Sequence, residues 1–371
     1  MKRTIISLVL TALAIAAVAQ EYSLPSKKKR AVYGSDFYVS PSRYDYTPAA
    51  SDITADANTD YERAEDLYDW ICNHIMYDPS ASIRTADECW EKRMGVCQGY
   101  CELYYRMAQS IGLKCRLIFG KSKSPEPPRR PKEISLSALT GTGTTGDVAS
   151  SFLQESNPST ASRIVEHTWL AVETERGTVL MDPTWGAGTW MRGQFLRLQD
   201  SSVWFDVDPC WMIFTHFPSK SKRQYISNPL SEEEFLSLPY TTPMVEMLGV
   251  TADYALEELL SGGVPYPTIP AMNALYASWL DLKGIPSERI LYTDKTYTFK
   301  ITKDDPEGMT LSLSNEGDVY KEEKWTREGD TYTIEVKPRR TGSLRILLND
   351  EGDGKVPVHK VIVEYQVKSG D

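Results

Sequence analysis

The sequence is poor in histidine and lacks the paired cysteines of common zinc sites. Histidine occurs at four of 371 positions, and none of the six cysteines belongs to a Cys-x-x-Cys pair. A four-cysteine zinc site is therefore a poor fit, and we expect neither a bound metal nor a cofactor. The net charge of −10 is spread along the chain, and its one basic run, Lys27 to Arg30, lies among Ser, Pro and Gly residues. Because dense basic patches with interleaved aromatic residues are absent, we expect no nucleic-acid partner.

Long apolar runs are also absent after the first twenty residues. The N-terminal run, Ile5 to Val18, follows a short basic stretch and ends at Ala-Val-Ala before Gln20. It is too short and too rich in alanine to favour a membrane span, and it fits a cleavable signal peptide of residues 1–19. No cysteine lies at the cleavage point, which argues against a lipid anchor. The sequence therefore predicts a secreted or periplasmic protein without a transmembrane segment after signal cleavage.

The cysteines need separate consideration, because an exported chain meets an oxidising compartment. Disulfide frameworks belong to small, cysteine-dense domains, and this chain is neither small nor dense. Cys97 and Cys101 are one helical turn apart, which suits two positions on a helix better than a bridge. The sequence leaves open whether disulfides form among Cys72, Cys89, Cys101, Cys115 and Cys210.

The first large domain is predicted over residues 61–240. It begins with a helical pattern, and a second helix begins near Cys97 and ends at Gly112, a residue type that commonly follows a helix. A strand from Cys115 to Phe119 comes next. Residues 20–60 are rich in Ser, Pro, Tyr and Asp without periodicity, and we interpret them as a flexible leader.

Residues 121–163 interrupt this domain with a proline-rich basic stretch and then small residues. So long a segment without secondary structure is uncommon inside a compact domain, and we interpret it as a flexible insertion. Beyond it, His167 to Val172 and Thr178 to Met181 predict two strands that are joined at Glu175–Gly177.

The C-terminal part of the chain divides into two patterns. Residues 241–288 are predicted as a helical linker that includes Tyr254 to Leu260 and Met272 to Leu282. From about Ile290 the sequence alternates between apolar and polar residues, and polar turns separate the alternating segments at fairly even intervals. This pattern predicts an Ig-like antiparallel β-sandwich over residues 289–371.

Three residues could together carry thiolate chemistry, which requires an activated cysteine, an imidazole and a group that orients the imidazole. Cys97 opens an amphipathic helix, where unpaired N–H groups favour a thiolate. His167 begins a strand after the insertion, and Asp182 ends the next strand. Taken singly, each residue type is more commonly structural: a buried thiol, a satisfied polar ring and a turn starter. Their order along the chain is what favours catalysis.

A two-residue turn at Glu175 and Arg176 would place Asp182 opposite Trp169. His167 would then lie two positions along on the same face of the sheet, at a diagonal separation of about 7–8 Å. A shift of one residue in the register would send the two side chains to opposite faces.

The segments GVCQGYCELYYRMAQSIGLKCRLIFG, HTWLAV and VLMDPTWGAG closely resemble the transglutaminase-like superfamily. The segments WICNHIMYD and FDVDPCWMIFTHFPSKSKRQYISNPLSEEEFLSLPY are similar to its kyphoscoliosis peptidase branch. The resemblance covers about residues 60–240 and implies an α+β, papain-like transglutaminase core. It also implies that Cys97 is the nucleophile, that His167 is the general base and acid, and that Asp182 orients His167.

Two further roles follow from the resemblance. Tyr77 becomes a candidate second oxyanion donor beside the backbone N–H of Cys97, although a structural role for a buried tyrosine is the commoner alternative. His216, in the FTHFP segment, is expected to be structural.

The resulting hypothesis is a secreted thiol enzyme that acts on protein or peptide amide bonds through a thioester acyl-enzyme, and a cysteine peptidase is favoured. Three alternatives stay open: a protein-glutamine transglutaminase, a non-catalytic peptide-binding module, and a glycan-amide hydrolase, which the absence of zinc-type cysteine pairs disfavours. The β-sandwich is a candidate surface for a protein partner.

Overall fold

The computed structural model describes residues 39, 41–125, 162–191, 194–238, 240–260, 270–272, 277, 279–304, 308–350 and 358–370. The predicted signal peptide, the first half of the predicted leader and most of the predicted insertion lie outside the described residues. The α-helices of the described part are α1 Thr47–Ile53, α2 Asp60–His74, α3 Ala86–Lys92, α4 Cys97–Ser110, α5 Pro183–Ala187, α6 Pro209–Met212, α7 Glu232–Ser237 and α8 Ala252–Leu260.

The strands of the N-terminal part are β1 Met76–Tyr77, β2 Met94–Gly95, β3 Lys114–Pro125, β4 Ser162–Thr174, β5 Gly177–Met181, β6 Thr189–Met191, β7 Gln194–Leu196 and β8 His216–Pro218. The strands of the C-terminal part are β9 Ala271–Met272, β10 Leu280–Gly284, β11 Ile290–Tyr292, β12 Tyr297–Lys303, β13 Thr310–Asn315, β14 Asp318–Lys321, β15 Thr326–Glu328, β16 Thr331–Val336, β17 Gly342–Asp350 and β18 Val358–Lys368.

The N-terminal part packs helices against one antiparallel sheet with the order β5-β4-β3-β8. Helix α4 lies at the centre and contacts β3 and β4 as well as α1, α2 and α3. It is buried from Gly99 to Ala108, including Glu102 and Arg106, which the sequence pattern places opposite the apolar face. The mixture of helices with an antiparallel sheet is an α+β core.

The leader expectation is wrong for its C-terminal part. Helix α1 lies within residues 20–60, and its side chains Ala49 and Ala50 are buried beneath neighbouring helices. Tyr46 is also buried and donates a hydrogen bond from its hydroxyl to Asp87, 2.8 Å away. Two alanines and a proline give too weak a helical period for the sequence alone to reveal this helix.

The boundaries of the insertion also need correction. Strand β3 does not end at Gly120 but continues to Pro125, and β4 begins at Ser162, five residues before His167. The sequence misleads here because the β3 extension is polar, yet Ser122 and Lys123 are buried. His167 therefore lies within a paired strand rather than at its start.

Two further sheets form the C-terminal part. One has the order β10-β12-β16-β15, and the other has the order β11-β18-β17-β13-β14 with β9 added to β18. Phe299 of the first sheet contacts Tyr365 of the second, with ring centroids 5.9 Å apart, so apolar faces of the two sheets meet. The predicted helix from Met272 to Leu282 is wrong at Met272, which lies in β9, and again from Leu280 onward. Leu280 and Leu282 are buried while Asp281 is exposed, and this period of two belongs to a strand.

All six cysteines lie within the described part of the chain and carry free thiols. Among the described helices, none has the length and apolar character needed to span a membrane.

Candidate active site

The start of α4 differs from the starts of the neighbouring helices. Thr59 and Thr85 cap α2 and α3 with their hydroxyls, and each is part of a reciprocal capping box. Val96 is the N-cap residue of α4, and its side chain has no oxygen that could cap the helix. The first-turn N–H groups beside Cys97 therefore receive no hydrogen bond from an N-cap side chain. A helix start of this kind stabilises a nearby anion.

A buried carboxylate builds the loop that supports this helix start. Asp78 is 3% exposed and accepts backbone N–H groups of Ser80 at 2.9 Å, Ser82 at 2.8 Å and Ile83 at 2.9 Å. The Ile83 carbonyl in turn accepts the N–H of Val96 at 3.0 Å. The hydrogen bonds from Ser80, outweighing the effect of burial, hold the pKa of Asp78 well below its ordinary value. The loop is thus organised around an ionised carboxylate, and it is hydrogen-bonded to Val96, the residue before Cys97.

The sheet register brings the predicted histidine and aspartate together. The β4–β5 ladder pairs Leu170 with Met181 and turns at Glu175 and Arg176, as the sequence predicts. His167 Nε2 lies 2.7 Å from Asp182 Oδ2. His167 is 5% exposed and Asp182 is fully buried. The sheet thus places these two side chains within hydrogen-bond distance, and Nδ1 is the nitrogen of His167 that is not bonded to Asp182.

The electrostatics favour a thiolate beside an imidazolium. Burial disfavours the charged form of Cys97, but the charge and hydrogen bond of His167 and the backbone N–H of Thr168 outweigh it, so the pKa of the thiol is lowered. Burial alone would lower the pKa of His167. The negative charges of Asp182 and Cys97 and their hydrogen bonds outweigh burial and raise that pKa. By contrast, burial raises the pKa of Cys72 and Cys101.

Asp182 accepts hydrogen bonds from four directions. Its Oδ1 accepts the backbone N–H groups of Thr184 at 2.8 Å and Trp185 at 3.2 Å and so caps α5. Its Oδ2 faces two imidazoles, Nε2 of His167 at 2.7 Å and Nε2 of His216 at 3.1 Å. Although burial opposes ionisation, these partners keep the pKa of Asp182 well below its ordinary value.

His216 is the site residue whose position the sequence does not reveal. It is 1% exposed on β8, and its ring contacts Trp169, Trp185 and Trp204. A histidine within an aromatic-rich segment was the available signal, but 34 residues separate it from Asp182.

Tyr77 lies close enough to Cys97 for the negative charge of the thiolate to affect it. Burial raises the pKa of the Tyr77 phenol, and Cys97 raises it further. The Tyr77 carbonyl accepts the indole N–H of Trp190 at 2.7 Å. Trp190 is 36% exposed, so an aromatic side chain borders the site at the surface.

His167, Asp182 and His216 also offer ligand atoms that lie within 4.8 Å of one another. Two histidines and a carboxylate can bind a transition metal. Here, however, both Nε2 atoms point at the same carboxylate oxygen at hydrogen-bond distance. That arrangement is explained by N–H donors without an ion between them.

Sequence comparison with known proteins gives matches over the part of the chain that carries Cys97, His167 and Asp182. Residues 47–209 match the model of the transglutaminase-like superfamily. Kyphoscoliosis peptidase of Homo sapiens is 27% identical over 193 residues, which cover 50% of this chain and 25% of that protein. Kyphoscoliosis peptidase of Mus musculus is 26% identical over 200 residues, which cover 51% and 26%. The match therefore spans about a quarter of the length of these relatives.

Two solved structures give weaker likenesses. A protein described as a candidate cysteine protease from Cytophaga hutchinsonii has 14% identity and a TM-score of 0.26, over 39% of each chain. A structure described as a TGase has 12% identity and a TM-score of 0.25, over 43% of this chain and 34% of that one. TM-scores this low establish neither a shared fold nor an activity. Residues 47–209 therefore match the transglutaminase-like superfamily, and about half of the chain is similar to kyphoscoliosis peptidases.

Proposed function

We propose that the protein is a thiol acyl-transfer enzyme that cleaves amide bonds of proteins or peptides, with Cys97 as nucleophile. The observation that carries the proposal is the hydrogen-bonded His167–Asp182 pair beside a thiol whose pKa is lowered. A thiolate is the reactive form of cysteine, and an oriented imidazole is its usual partner.

The first half-reaction forms a thioester. The Cys97 sulfur attacks the amide carbonyl carbon, a C–S bond forms, and the carbonyl electron pair moves to oxygen. Collapse of this tetrahedral species breaks the C–N bond, and the His167 imidazolium gives its proton to the leaving amine. Asp182 keeps the imidazole oriented throughout and is not itself protonated.

The second half-reaction releases the acyl group. Water adds to the thioester carbonyl and gives a proton to His167, and the C–S bond then breaks. A carboxylic acid leaves, and the thiolate–imidazolium pair is restored. The backbone N–H of Cys97 is the proposed oxyanion donor, supported by the start of α4. The Tyr77 phenol is the proposed second donor, supported by its electrostatic contact with Cys97.

Alkylation of the cysteines tests the nucleophile, and Cys210 provides a matched control. Both thiols are partly exposed, but burial together with Asp253 raises the pKa of Cys210 to about 12. Near neutral pH, a thiol-directed acylating probe should label Cys97 at least about tenfold faster than Cys210. Cys97→Ala should abolish turnover, whereas Cys210→Ala should retain it. Equal labelling of the two thiols would contradict the assignment.

We propose hydrolysis rather than transamidation as the main outcome. An amine outcompetes water only where the thioester is shielded from solvent. The residues that precede the catalytic strand are rich in Ser, Thr, Gly and Lys, a composition that favours an open cleft, and the curated relatives are named peptidases. The enzyme should be given a peptide library and, in parallel, a glutamine-containing protein with a labelled primary amine. Amine incorporation without new peptide termini would establish a transglutaminase instead.

Export, and a partner-binding role of the C-terminal part as an Ig-like β-sandwich, stay proposals. Export is supported by the apolar run before Ala17-Val18-Ala19. Mass analysis of native protein should find Gln20 at the N-terminus, and retention of Met1 would refute cleavage.

A further inference from the structure

We propose that His216 is a positioning residue for the Cys97–His167 pair and that it acts through Asp182. The inference rests on the function proposed above. His216 contacts the site in two ways: its ring lies 5.2 Å from the His167 ring, and its Nε2 lies 3.1 Å from Oδ2 of Asp182, the oxygen that also faces His167.

The hydrogen bonds define the tautomer of His216. If Nε2 had no hydrogen, its lone pair would point at the lone pairs of the carboxylate. Nε2 therefore carries the hydrogen and donates a hydrogen bond to Asp182. The opposite nitrogen, Nδ1, lies 2.8 Å from the hydroxyl oxygen of Thr215, which also lies 3.4 Å from the Met212 carbonyl oxygen. A neutral ring with its hydrogen on Nε2 accepts the hydroxyl hydrogen at Nδ1. The ring is thereby held in place from both ends.

His167 and His216 differ in charge, because their pKa values are shifted in opposite directions. The groups that act electrostatically on His216 are Asp182 and His167, and its remaining ring neighbours are tryptophans. Burial outweighs the attraction of Asp182 and lowers the pKa of His216 to about 4. A single carboxylate thus supports one imidazolium, His167, while His216 donates as a neutral ring.

The consequence for catalysis lies in the carboxylate. With the His216 N–H present, each Asp182 oxygen accepts two donors, and rotation of the carboxylate would break all four bonds. Without it, the buried Oδ2 loses one of its two donors, and both the orientation and the basicity of Asp182 change. The His167 imidazolium would lose support, and the pKa of the Cys97 thiol would rise.

Two substitutions of His216 distinguish the effect of losing its N–H donor from the effect of changing the shape of its side chain. His216→Gln keeps an N–H at nearly the position of Nε2, whereas His216→Leu removes the donor and keeps an apolar group. We expect His216→Leu to slow Cys97 alkylation at pH 6 by about 10- to 100-fold, in line with losses at comparable supporting residues. The midpoint of its alkylation pH profile should move upward by about one unit, which corresponds to about tenfold in the ionisation constant.

His216→Gln should restore the rate to within about threefold of the native enzyme, a span of less than about 1 kcal/mol. Ser122→Ala, whose backbone is paired with His216, is the matched control and should leave both rate and profile unchanged. Thermal unfolding of each variant shows whether a loss of rate reflects unfolding. A native rate and profile in folded His216→Leu, or no recovery in His216→Gln, would overturn the proposal.

Two readouts do not depend on activity. Nitrogen-15 NMR of the imidazoles at pH 7 should show His216 neutral with its proton on Nε2. An Nδ1–H tautomer or an imidazolium would overturn the inference even in a fully active enzyme. Elemental analysis that finds one metal ion per chain, lost in His216→Leu, would make His216 a ligand and also overturn it. Failure of Cys97 to label preferentially in the native enzyme would instead refute the proposed function, and the NMR result would still decide the role of His216.

Discussion

At the scale of single residues, Asp78 lies outside the proposed triad but organises the loop beside the proposed nucleophile, Cys97. Asp78→Asn should lower the free energy of unfolding by about 1–3 kcal/mol, because charge-assisted bonds to buried N–H groups are weakened. Alkylation of Cys97 should also slow, because the Ile83 carbonyl that holds Val96 is part of the same loop. Urea unfolding and thiol alkylation would measure the two effects, with Asp52→Asn at an exposed position of α1 as the control.

The effect of Asp78 also has a definite pH dependence. Its pKa is lower in the folded state than in the unfolded chain, where it is about 3.9. The stabilisation is therefore complete above pH 4 and is lost as the pH falls toward the folded value. The difference in stability between native protein and Asp78→Asn should shrink below about pH 4. A constant difference at pH 7 and pH 3 would contradict this account.

The residues of the proposed triad could be predicted because each is marked by local sequence. Cys97 opens an amphipathic helix two residues after Gly95, and the turn at Glu175 and Arg176 fixes the register that joins His167 to Asp182. His216 could not be placed in this way. Strand β8 has three residues, and neither its period nor its length shows which strand it pairs with.

At the scale of elements, Gly120 allows β8 to approach the sheet. A Cβ at this position would lie 2.2 Å from the Phe217 carbonyl oxygen and 2.8 Å from the ring of Trp169. Gly120→Ala should therefore push β8 outward, cost about 1–3 kcal/mol of stability and slow Cys97 alkylation by displacing His216. Denaturant unfolding and alkylation rates would test this, with Ser122→Ala on the same strand as the control. Native alkylation in Gly120→Ala would show that the position of β8 does not matter to the thiol.

Lys123 gives strand β3 a second, pH-dependent link to helix α7. It is 1% exposed, and its ammonium donates to the carbonyls of Phe235, at 2.6 Å, and Leu238. Burial lowers its pKa to about 7, against about 10.4 in the unfolded chain. Because the unfolded state binds more protons between these values, stability should rise with pH from about 7 to 10.

Lys123→Met should remove that rise, which equilibrium unfolding at pH 7, 8.5 and 10 would measure. Lys121→Met, at a partly exposed position of the same strand that pairs with Glu232, should keep it. Equal slopes in the native protein and in Lys123→Met would refute the link.

Element boundaries were the part of the fold that sequence patterns predicted least well. The polar extension of β3 looks like a loop because Lys123 is buried through hydrogen bonds to carbonyls rather than through apolar contacts. Helix α1 was missed because two small alanines form its buried side. In both cases burial depends on partners distant in sequence, which local periodicity does not report.

At the scale of the whole molecule, we expect the N-terminal part and the C-terminal sheets to respond separately to damage in the core of either. Phe299 is fully buried between the two sheets, and Phe299→Ala should destabilise them by about 3–5 kcal/mol. Alkylation of Cys97 should keep its native rate, because helix α4, strand β4 and helix α5, which carry or border Cys97, His167 and Asp182, belong to the N-terminal part. Hydrogen exchange of each part and the alkylation rate would test this, with the exposed neighbour in Thr298→Ala as the control. If Phe299→Ala lowered the protection from hydrogen exchange in both parts and also changed the alkylation rate of Cys97, the two parts would unfold as one unit.

The crowded surroundings of Asp182 have a consequence for how protons move during turnover. A carboxylate offers about four acceptor positions, and the four donors around Asp182 occupy them. The aspartate has no room to take up a proton, so we expect a single hydrogen to move during acylation, the one that passes from the His167 ring to the leaving amine. Rates of acylation measured in mixtures of light and heavy water should then fall along a straight line with deuterium content. A bowed line would mean that a second hydrogen travels in the same step.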